Sequence, residues 1–413
     1  MSFQREMGTS HLPVLAALKV NLFGIRRAAS WSALLSGFIV VLISSTGPLA
    51  ILFQAAKAGH FSSAQTASWL LTIFLGSGFF GLILTLRHGM PIIGAWGSAT
   101  TALLVTALPQ HTLPDVVGAY FVASVALLAV GVTGIFSRLV AMVPRPVVMA
   151  MLSGVLFQFG VNTFSSLQKD AFLGLSMIFA FFIARRFKWR APVVASLFVG
   201  LIVAAIQSKL VNPHIGISIA RPIWTTPHFS FGALFTLALP IFLLVMTTQN
   251  ATGIAVLYNS GYEPPVNNIV TLGGVLSLIG AGFGGSGVNV SAITAAIATQ
   301  DHADPNPKTR YFAGISAGAF YLVLGLLGGT VTGLFSTLPP LLLAVLAGLA
   351  LLPVIGSSTH EALADSEYRD AGLVTLLVTI SGVSAWNLGA PFWGLIAGVA
   401  VHKIVQPFNR KSD

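Results

Sequence analysis

The sequence predicts an all-α membrane protein with 14 transmembrane segments. Of its 413 residues, 55% are hydrophobic and only 8% are charged, whereas soluble domains average about 25% charged residues. Apolar stretches long enough to cross a bilayer recur from Trp31 to Val405. A small-residue phrase also occurs twice in the chain, which indicates an internal repeat.

Proline, glycine and polar clusters divide the chain into two sets of seven apolar segments. The first repeat covers 30–208 and the second covers 231–405, with a polar link rich in Pro and His between them. The segments lie near 30–56, 65–86, 92–108, 115–137, 145–164, 169–184 and 190–208, then 231–258, 264–284, 286–300, 309–335, 339–357, 368–384 and 387–405.

The distribution of basic residues supports this count of segments. If the N-terminus is cytoplasmic, four of the 21 Lys and Arg residues fall outside, namely Lys57, Lys169, Lys209 and Arg221, and the other 17 fall inside. Cytoplasmic loops of membrane proteins carry such an excess of basic residues. We therefore expect both termini to be cytoplasmic, and the same rule explains the net charge of +10 without a nucleic-acid partner.

The repeated phrase reads "GAWGSATTA" at 94–102 and "GVNVSAITA" at 287–295, with five of nine positions identical. The copies lie in the third and tenth segments, and the stretches 45–60 and 247–262 of the first and eighth segments also correspond. Because seven segments per repeat is an odd number, the second repeat must enter the membrane from the opposite side. This is the inverted-topology repeat of secondary transporters.

Each copy of the phrase predicts an extended half followed by a helical half. Residues 91–97 contain a Pro and two Gly, and the ten residues from Ser98 are compatible with a helix of roughly 15 Å, half of a bilayer core of roughly 30 Å. Residues 282–290 and 291–300 repeat this pattern. Ser98 and Ser291 are the predicted N-caps of the two half-helices.

Two such half-helix N-termini facing each other near the midplane would form an anion site from backbone N–H groups. We expect glycines to let a ligand approach this backbone, namely Gly94, Gly97, Gly284, Gly285 and Gly287. The alternative is that these small residues merely allow close helix packing. The duplication at corresponding positions favours the binding site.

Several neighbouring residues have both a ligand-binding and a structural interpretation. Trp96 offers a flat ring to a ligand or is an ordinary core residue. The polar triplet of Thr248, Gln249 and Asn250 interrupts the eighth segment. Because buried amides need partners, we expect the triplet, and likewise Asn289, to contact the ligand or a half-helix rather than only to support the fold. Ser45 and Thr46 occupy the matching part of the first segment.

The sequence resembles the benzoate–proton symporter family (BenE) of bacterial inner membranes. The similar stretches are "PIIGAWGSATTALL" (91–104), "TTQNATGIAVL" (247–257) and "GGSGVNVSAITAAIATQDHADPNPKTRY" (284–311). The resemblance implies the seven-plus-seven inverted repeat of uracil and anion transporters. It also implies a core domain of about 30–137 plus 231–335 and a gate domain of about 145–208 plus 339–405, through which such proteins often form homodimers.

The resemblance also implies a substrate site between the third and tenth segments that faces the eighth. It places on the ligand Ala95, Trp96, Gly97, Ser98, Gln249, Asn250, Gly287, Val288 and Asn289. Ser45, Thr46, Ser286 and Ser291 complete the predicted site. Uracil transporters of this fold have glutamates in the eighth and tenth segments, where this chain has amides and small residues. That difference favours an anionic ligand, which a fixed carboxylate would repel.

All 11 Asp and Glu residues and all nine His residues fall in predicted loops or at segment ends. A transported proton would therefore travel on the substrate carboxyl, on Asp301, or through no fixed side chain. Asp301 is the nearest acidic candidate at the end of the tenth segment. Its alternative role is that of a solvated residue at the end of a helix.

We therefore predict an inner-membrane transporter that imports a small aromatic carboxylate, benzoate, with a proton by alternating access. The alternatives are a transporter of another anion or of a nucleobase, and an anion channel. No paired carboxylates, His cluster or nucleophile–base arrangement predicts an enzyme. The absence of Cys excludes thiolate metal sites, and we expect no metal and no cofactor.

Overall fold

The computed structural model describes residues 12–189, 191–210, 216–285, 287–386 and 388–405. These residues form a helical protein with one two-stranded sheet. The elements of the first half are α1 Val14–Ala28, α2 Trp31–Ala58, α3 Ser63–His88, β1 Gly94–Ala95, α4 Ser98–Ala107, α5 Leu113–Thr133, α6 Phe136–Met142, α7 Arg145–Ser165, α8 Ala171–Arg186 and α9 Pro192–Ile206.

The second half contains the corresponding long helices and a second short strand. Its elements are α10 Phe231–Asn259, α11 Val266–Ala281, β2 Asn289–Val290, α12 Ala292–Ala298, α13 Tyr311–Leu326, α14 Gly328–Ser336, α15 Pro340–Ala364, α16 Arg369–Ile380 and α17 Ala390–Val405. Helix α10 contains two π-helical stretches, Leu234–Ala238 and Val245–Asn250.

Six of the described helices are long and apolar enough to cross a membrane, namely α2, α3, α5, α7, α10 and α15. The pair α13 and α14, bent by 67°, counts as a seventh if it is one span. Shorter apolar helices are α4, α9, α11 and α17. The prediction of a membrane protein built from apolar helices is confirmed, whereas the count of 14 segments stays a prediction.

The two short strands pair with each other, and all four of their residues are buried. Strand β1 pairs antiparallel with β2, so that Gly94 lies opposite Val290 and Ala95 lies opposite Asn289. Each strand leads directly into a short helix, α4 or α12. The predicted change from extended backbone to helix is therefore confirmed in both copies of the repeated phrase.

Two glycines that the sequence assigns to ligand access, Gly94 and Gly285, pack closely against α3. A Cβ atom at Gly94 would lie 2.0 Å from the carbonyl oxygen of Ser77. A Cβ atom at Gly285 would likewise lie 2.7 Å from the side chain of Thr72. Both glycines therefore allow close packing on α3, and their role in ligand access stays a prediction.

The link between the two halves is extended and tied to the helices that it crosses. Backbone N–H groups of Ala220, Thr225 and His228 donate to the carbonyl oxygens of Leu326, Gly282 and Pro114, at 3.0, 2.7 and 2.9 Å. Helix α1 was not predicted from the sequence, and a hydrogen bond also holds it against the rest of the fold. The Asn21 side chain donates to the Leu86 carbonyl at 2.8 Å.

We predict that Gly94→Ala lowers the free energy of unfolding by roughly 1–3 kcal/mol, the usual cost of overpacking, because the added methyl group meets the α3 backbone. The measurement is the thermal unfolding midpoint of the purified protein in detergent. The matched control is Gly333→Ala, since a Cβ there meets nothing within 4 Å and alanine favours a helix. Equal midpoints for the two variants would contradict the packing argument.

Candidate functional site

A cavity of about 380 Å³ lies beside the strand pair. Its lining comes from the first turns of α4 and α12, from Ala95 and Trp96, and from the middle of α2 and α10. The start of α9 and the helices α7 and α15 also line the cavity, mainly with apolar side chains such as Leu152, Leu156 and Leu351. A small, largely apolar cavity with a few polar groups is the usual form of a small-ligand site.

The start of α4 lies on this cavity, because Ser98 and Ala99 line it. The N-cap residue is Gly97, not Ser98, and the hydroxyls of Thr100 and Thr101 donate to the Gly97 carbonyl at 2.7 and 2.9 Å. The prediction that Ser98 caps the helix is therefore wrong. The helix begins one residue earlier than predicted, so that Ser98 is its first residue. Ser98 lines the cavity.

The start of α12 lies on the same cavity. Ser291 is the N-cap, as predicted, but its side chain makes no capping hydrogen bond. Its backbone carbonyl accepts from the Ala295 N–H at 3.0 Å, and Ser291 lines the cavity. The structure thus brings the two serines of the repeated phrase to one cavity.

Helix α2 contributes its residues around an internal proline. Pro48 has no N–H, so the helix loses one backbone hydrogen bond at this level. Thr46 lines the cavity, and its hydroxyl donates to the Leu42 carbonyl at 2.6 Å. Ser45 does not line the cavity, and its buried hydroxyl has no hydrogen-bond partner among the described residues.

The polar triplet of α10 divides between the cavity and the strand pair. It lies in a π-helical stretch, a distortion that is frequent at functional sites. Thr248 and Gln249 line the cavity. The Asn250 side-chain oxygen instead accepts from the Val290 N–H at 3.2 Å, and Asn250 is buried. This contact holds β2 immediately before the start of α12.

Among the predicted ligand-binding residues that line the cavity, Trp96 has the largest side chain. Its ring is 6% exposed and meets the ring of Phe74 edge-on, with centroids 6.3 Å apart. The indole N–H has no hydrogen-bond partner among the described residues. Trp96 is thus almost fully buried, packs against Phe74 and lines the cavity.

Four other predicted residues lie behind the cavity wall. Gly97, Gly287, Val288 and Asn289 are absent from the lining. The Val288 N–H donates to the Ser277 hydroxyl at 2.9 Å, and the Asn289 side chain donates to the Gly287 carbonyl. Gly287 has a φ of +76°, which favours glycine. These residues shape the strand pair, and Ser286 lies outside the described residues.

The loop after α12 contains Asp301, which does not line the cavity. Its side chain is 89% exposed and forms an ion pair with Arg310. The buried Arg310 side chain also donates to the carbonyl oxygens of Thr299 at 2.5 Å and Asp304 at 2.7 Å. Arg310 therefore fixes the end of α12, and with it the position of the half-helix.

Asp304 in the same loop is held as a carboxylate. Burial alone raises its pKa, but hydrogen bonds from the Asn306 N–H and from the hydroxyls of Thr309 and Ser30 lower the pKa below its ordinary value. The loop is thus tied to the start of α2 through the Ser30 hydroxyl. This tie is a structural role for the acidic residues of the loop.

Sequence reasoning missed the two charged residues of the cavity, Arg145 and Glu361. They form an ion pair with 2.5 Å between Arg145 Nε and Glu361 Oε1. Glu361 was assigned to a loop, but α15 continues to Ala364 and places it on the helix. A signal was present, since no Pro or Gly lies between Gly356 and Glu361 to end the helix.

A second cavity of about 180 Å³ lies further along α4 and α7. Leu103 and Thr106 line it from α4, and Gly154, Val155 and Gln158 line it from α7. On α4 the first cavity uses the earlier residues Ser98 and Ala99, whereas on α7 it reaches Leu156 and overlaps the level of the second cavity. Both cavities are therefore lined by residues of α4 and α7.

Comparisons with known proteins are consistent with these features. A family model described as benzoate membrane transport protein (BenE) matches residues 27–404. An inner membrane protein of Escherichia coli K12, YdcO, is 38% identical over 373 residues, covering 90% of this chain and 95% of that protein. A benzoate membrane transport protein of Acinetobacter baylyi is 36% identical over 376 residues, covering 91% and 95%.

Two solved structures share the fold at low sequence identity. The transmembrane domain of a cyanobacterial bicarbonate transporter, BicA, superimposes with a TM-score of 0.59 at 17% identity, covering 89% of this chain and 97% of that domain. The structure of SLC26A9 superimposes with a TM-score of 0.58 at 14% identity, covering 91% and 64%. These likenesses concern the fold alone.

We predict that the neighbouring amides of α10 have different effects when removed. Asn250→Ala leaves the buried Val290 N–H without its acceptor, which costs about 1–3 kcal/mol, so the thermal midpoint in detergent falls. Gln249→Ala removes a half-buried cavity side chain and leaves the midpoint within about 0.5 kcal/mol of the parent. Equal destabilisation by both substitutions would contradict the assigned roles.

Proposed function

Because the chain belongs to the BenE family of benzoate membrane transport proteins, we propose that it imports a small aromatic carboxylate, benzoate, together with a proton. The observation that carries this proposal is the cavity beside the strand pair. It joins an aromatic and aliphatic wall to the N-terminus of α4 and the hydroxyls of Ser98 and Ser291. The first part suits a benzene ring, and the second suits a carboxylate.

The charge pattern of the cavity favours an anion at the half-helix. A helix N-terminus carries roughly half a positive charge, and its first N–H groups have no intrahelical acceptor. Among the described lining residues, the charged side chains are those of Arg145 and Glu361, which neutralise each other. A carboxylate beside Ser98 therefore meets the positive end of α4 without a fixed negative charge next to it.

The antiparallel strand pair supports the inverted repeat. Segments related by a two-fold axis in the membrane plane cross in antiparallel orientation where they meet. Strands β1 and β2 come from the two copies of the repeated phrase and cross in this way. Gly287 and Gly97, the repeat equivalents of the paired Gly94 and Val290, also lie close together, since a Cβ at Gly287 would be 3.9 Å from the Gly97 nitrogen.

Alternating access would use the two cavities in turn. Both are lined by α4 and α7, and Arg145 at the start of α7 belongs to the side that the basic residues mark as cytoplasmic. We propose that the larger cavity is open to the cytoplasm of the inner membrane. The core of 30–137 plus 231–335 would move against the gate of 145–208 plus 339–405, which also offers the surface for a homodimer.

The exposed position of Asp301 favours a proton that travels with the substrate carboxyl. We predict that Asp301→Asn leaves the initial rate of pH-driven uptake unchanged within about twofold, because the side chain lies outside the cavity. Uptake of radiolabelled benzoate into proteoliposomes with an imposed pH gradient measures this rate. Loss of gradient dependence in the variant would instead assign the proton to Asp301.

Benzoate uptake by the parent protein should be saturable and should cease when a proton uncoupler collapses the gradient. The assay is the same proteoliposome uptake, with protein-free liposomes as the control for passive entry of benzoic acid. Uptake that saturates but is indifferent to the gradient would contradict proton coupling while leaving transport intact. Unitary currents in a planar bilayer would indicate a channel.

The substrate class is tested by the role of Trp96. We predict that Trp96→Ala raises the Kd for benzoate roughly tenfold, about 1.4 kcal/mol, because the ring wall is lost, whereas Trp96→Phe keeps an aromatic face and changes Kd by less than about threefold. Thermal-shift titration measures both, with uracil, xanthine and sulfate as comparison ligands. Stabilisation by one of these and not by benzoate would assign a different substrate.

A further inference from the structure

We propose that Arg145 is a docking residue that receives the substrate carboxylate at the cavity mouth. Glu361 then competes for Arg145 and so promotes release of the substrate carboxylate. This inference rests on the proposed transport of an aromatic carboxylate. It adds a second, transient anion contact to the site beside Ser98. It also gives a function to the two charged cavity residues that the substrate site itself does not use.

The position of the ion pair places it at one end of the cavity. Arg145 is the first residue of α7, and Leu156 on the same helix lines the cavity eleven residues further on, roughly 16 Å along the axis. Glu361 lies in the last turn of α15, and Ala350 lines the cavity at the other end of that stretch. The cavity therefore extends from the ion pair to the level of Leu156 and Ala350.

The geometry of the ion pair allows a substrate carboxylate to replace Glu361 on Arg145. The side chains of Arg145 and Glu361 are 50% and 38% exposed, respectively, and a pair this exposed contributes little net stability. The contact uses the Arg145 Nε, whereas the guanidinium has five N–H donors in a planar fork that suits carboxylates. A carboxylate that reaches the cavity can therefore replace Glu361 at little cost.

The surroundings favour an incoming anion at this place. Arg145 opens α7, whose N-terminus adds a positive partial charge. Among the described residues that line the cavity, Arg145 is the single cation and Glu361 the single acidic side chain. An arginine without a competitor would hold a carboxylate too tightly for turnover, because conduction needs binding that is weak enough to permit release. Glu361 supplies this competition.

The competing explanation is a structural strut, since α7 and α15 pack along their length. The two explanations differ under charge reversal. A strut is restored when the charges are exchanged between the helices. A docking arginine is not restored, because a glutamate at position 145 repels the carboxylate that it should receive.

The experiment uses the full chain in lipid nanodiscs and measures binding and release of radiolabelled benzoate by rapid filtration. We expect Arg145→Gln to lower the association rate roughly tenfold, within the range of electrostatic steering, and to remove its dependence on salt. Glu361→Gln should slow the release of benzoate severalfold and lower its Kd. The exchanged double variant R145E/E361R should associate as slowly as Arg145→Gln.

Association at the parental rate in Arg145→Gln, or recovery of that rate in the double variant, would overturn the proposal. Thermal midpoints of all variants, measured in parallel, separate a slow association rate from a loss of folded protein, and Arg145→Lys, which keeps the charge, should retain most of the rate. Failure of the proposed function gives a different result, because the parent protein would then not bind benzoate at all.

Discussion

The organisation of the site depends on four residues of extended backbone paired deep inside a helical protein. Strands β1 and β2 join segments that are far apart in the chain, and Gly94, Ala95, Asn289 and Val290 form the whole ladder. Extended backbone in a nonaqueous interior requires hydrogen-bond partners. The strands provide some of them to each other, and the side chains of Ser277 and Asn250 supply acceptors for the N–H groups of Val288 and Val290.

The chemistry of the cavity follows from that crossing. Each strand ends where a short helix begins, so the pairing brings Ser98 and Ser291 to the same cavity. Neighbouring helices then complete two different surfaces: Trp96 and the aliphatic side chains of α7 and α15 are apolar, whereas the start of α4 and Gln249 are polar. A planar molecule with one charged end matches these two surfaces, which is the chemistry of an aromatic carboxylate.

The repeated phrase was sufficient to predict the extended strands, the half-helices and their meeting at one site, because small residues and a broken hydrophobic pattern are visible in sequence. It could not show which atoms face the cavity. Asn289 and Asn250 carry the same amide chemistry as Gln249, yet their side chains form hydrogen bonds with backbone groups. This difference depends on the register of β2 and on the π-helical stretch of α10.

The role of Gly94 depends on Ser77 in another helix, and the cavity position of Glu361 depends on how far α15 continues. Such facts are set by packing between distant segments rather than by local sequence.

The central claim, that an aromatic carboxylate binds beside the strand pair, is tested most directly by locating the ligand. A crystal structure with 4-bromobenzoate gives an anomalous signal from bromine and density for the attached carboxylate. The account predicts the ring against Trp96 and the carboxylate between Ser98 and Ser291, near the start of α4. A saturated complex with its bromine outside this cavity, or with the carboxylate directed away from α4, would contradict the account.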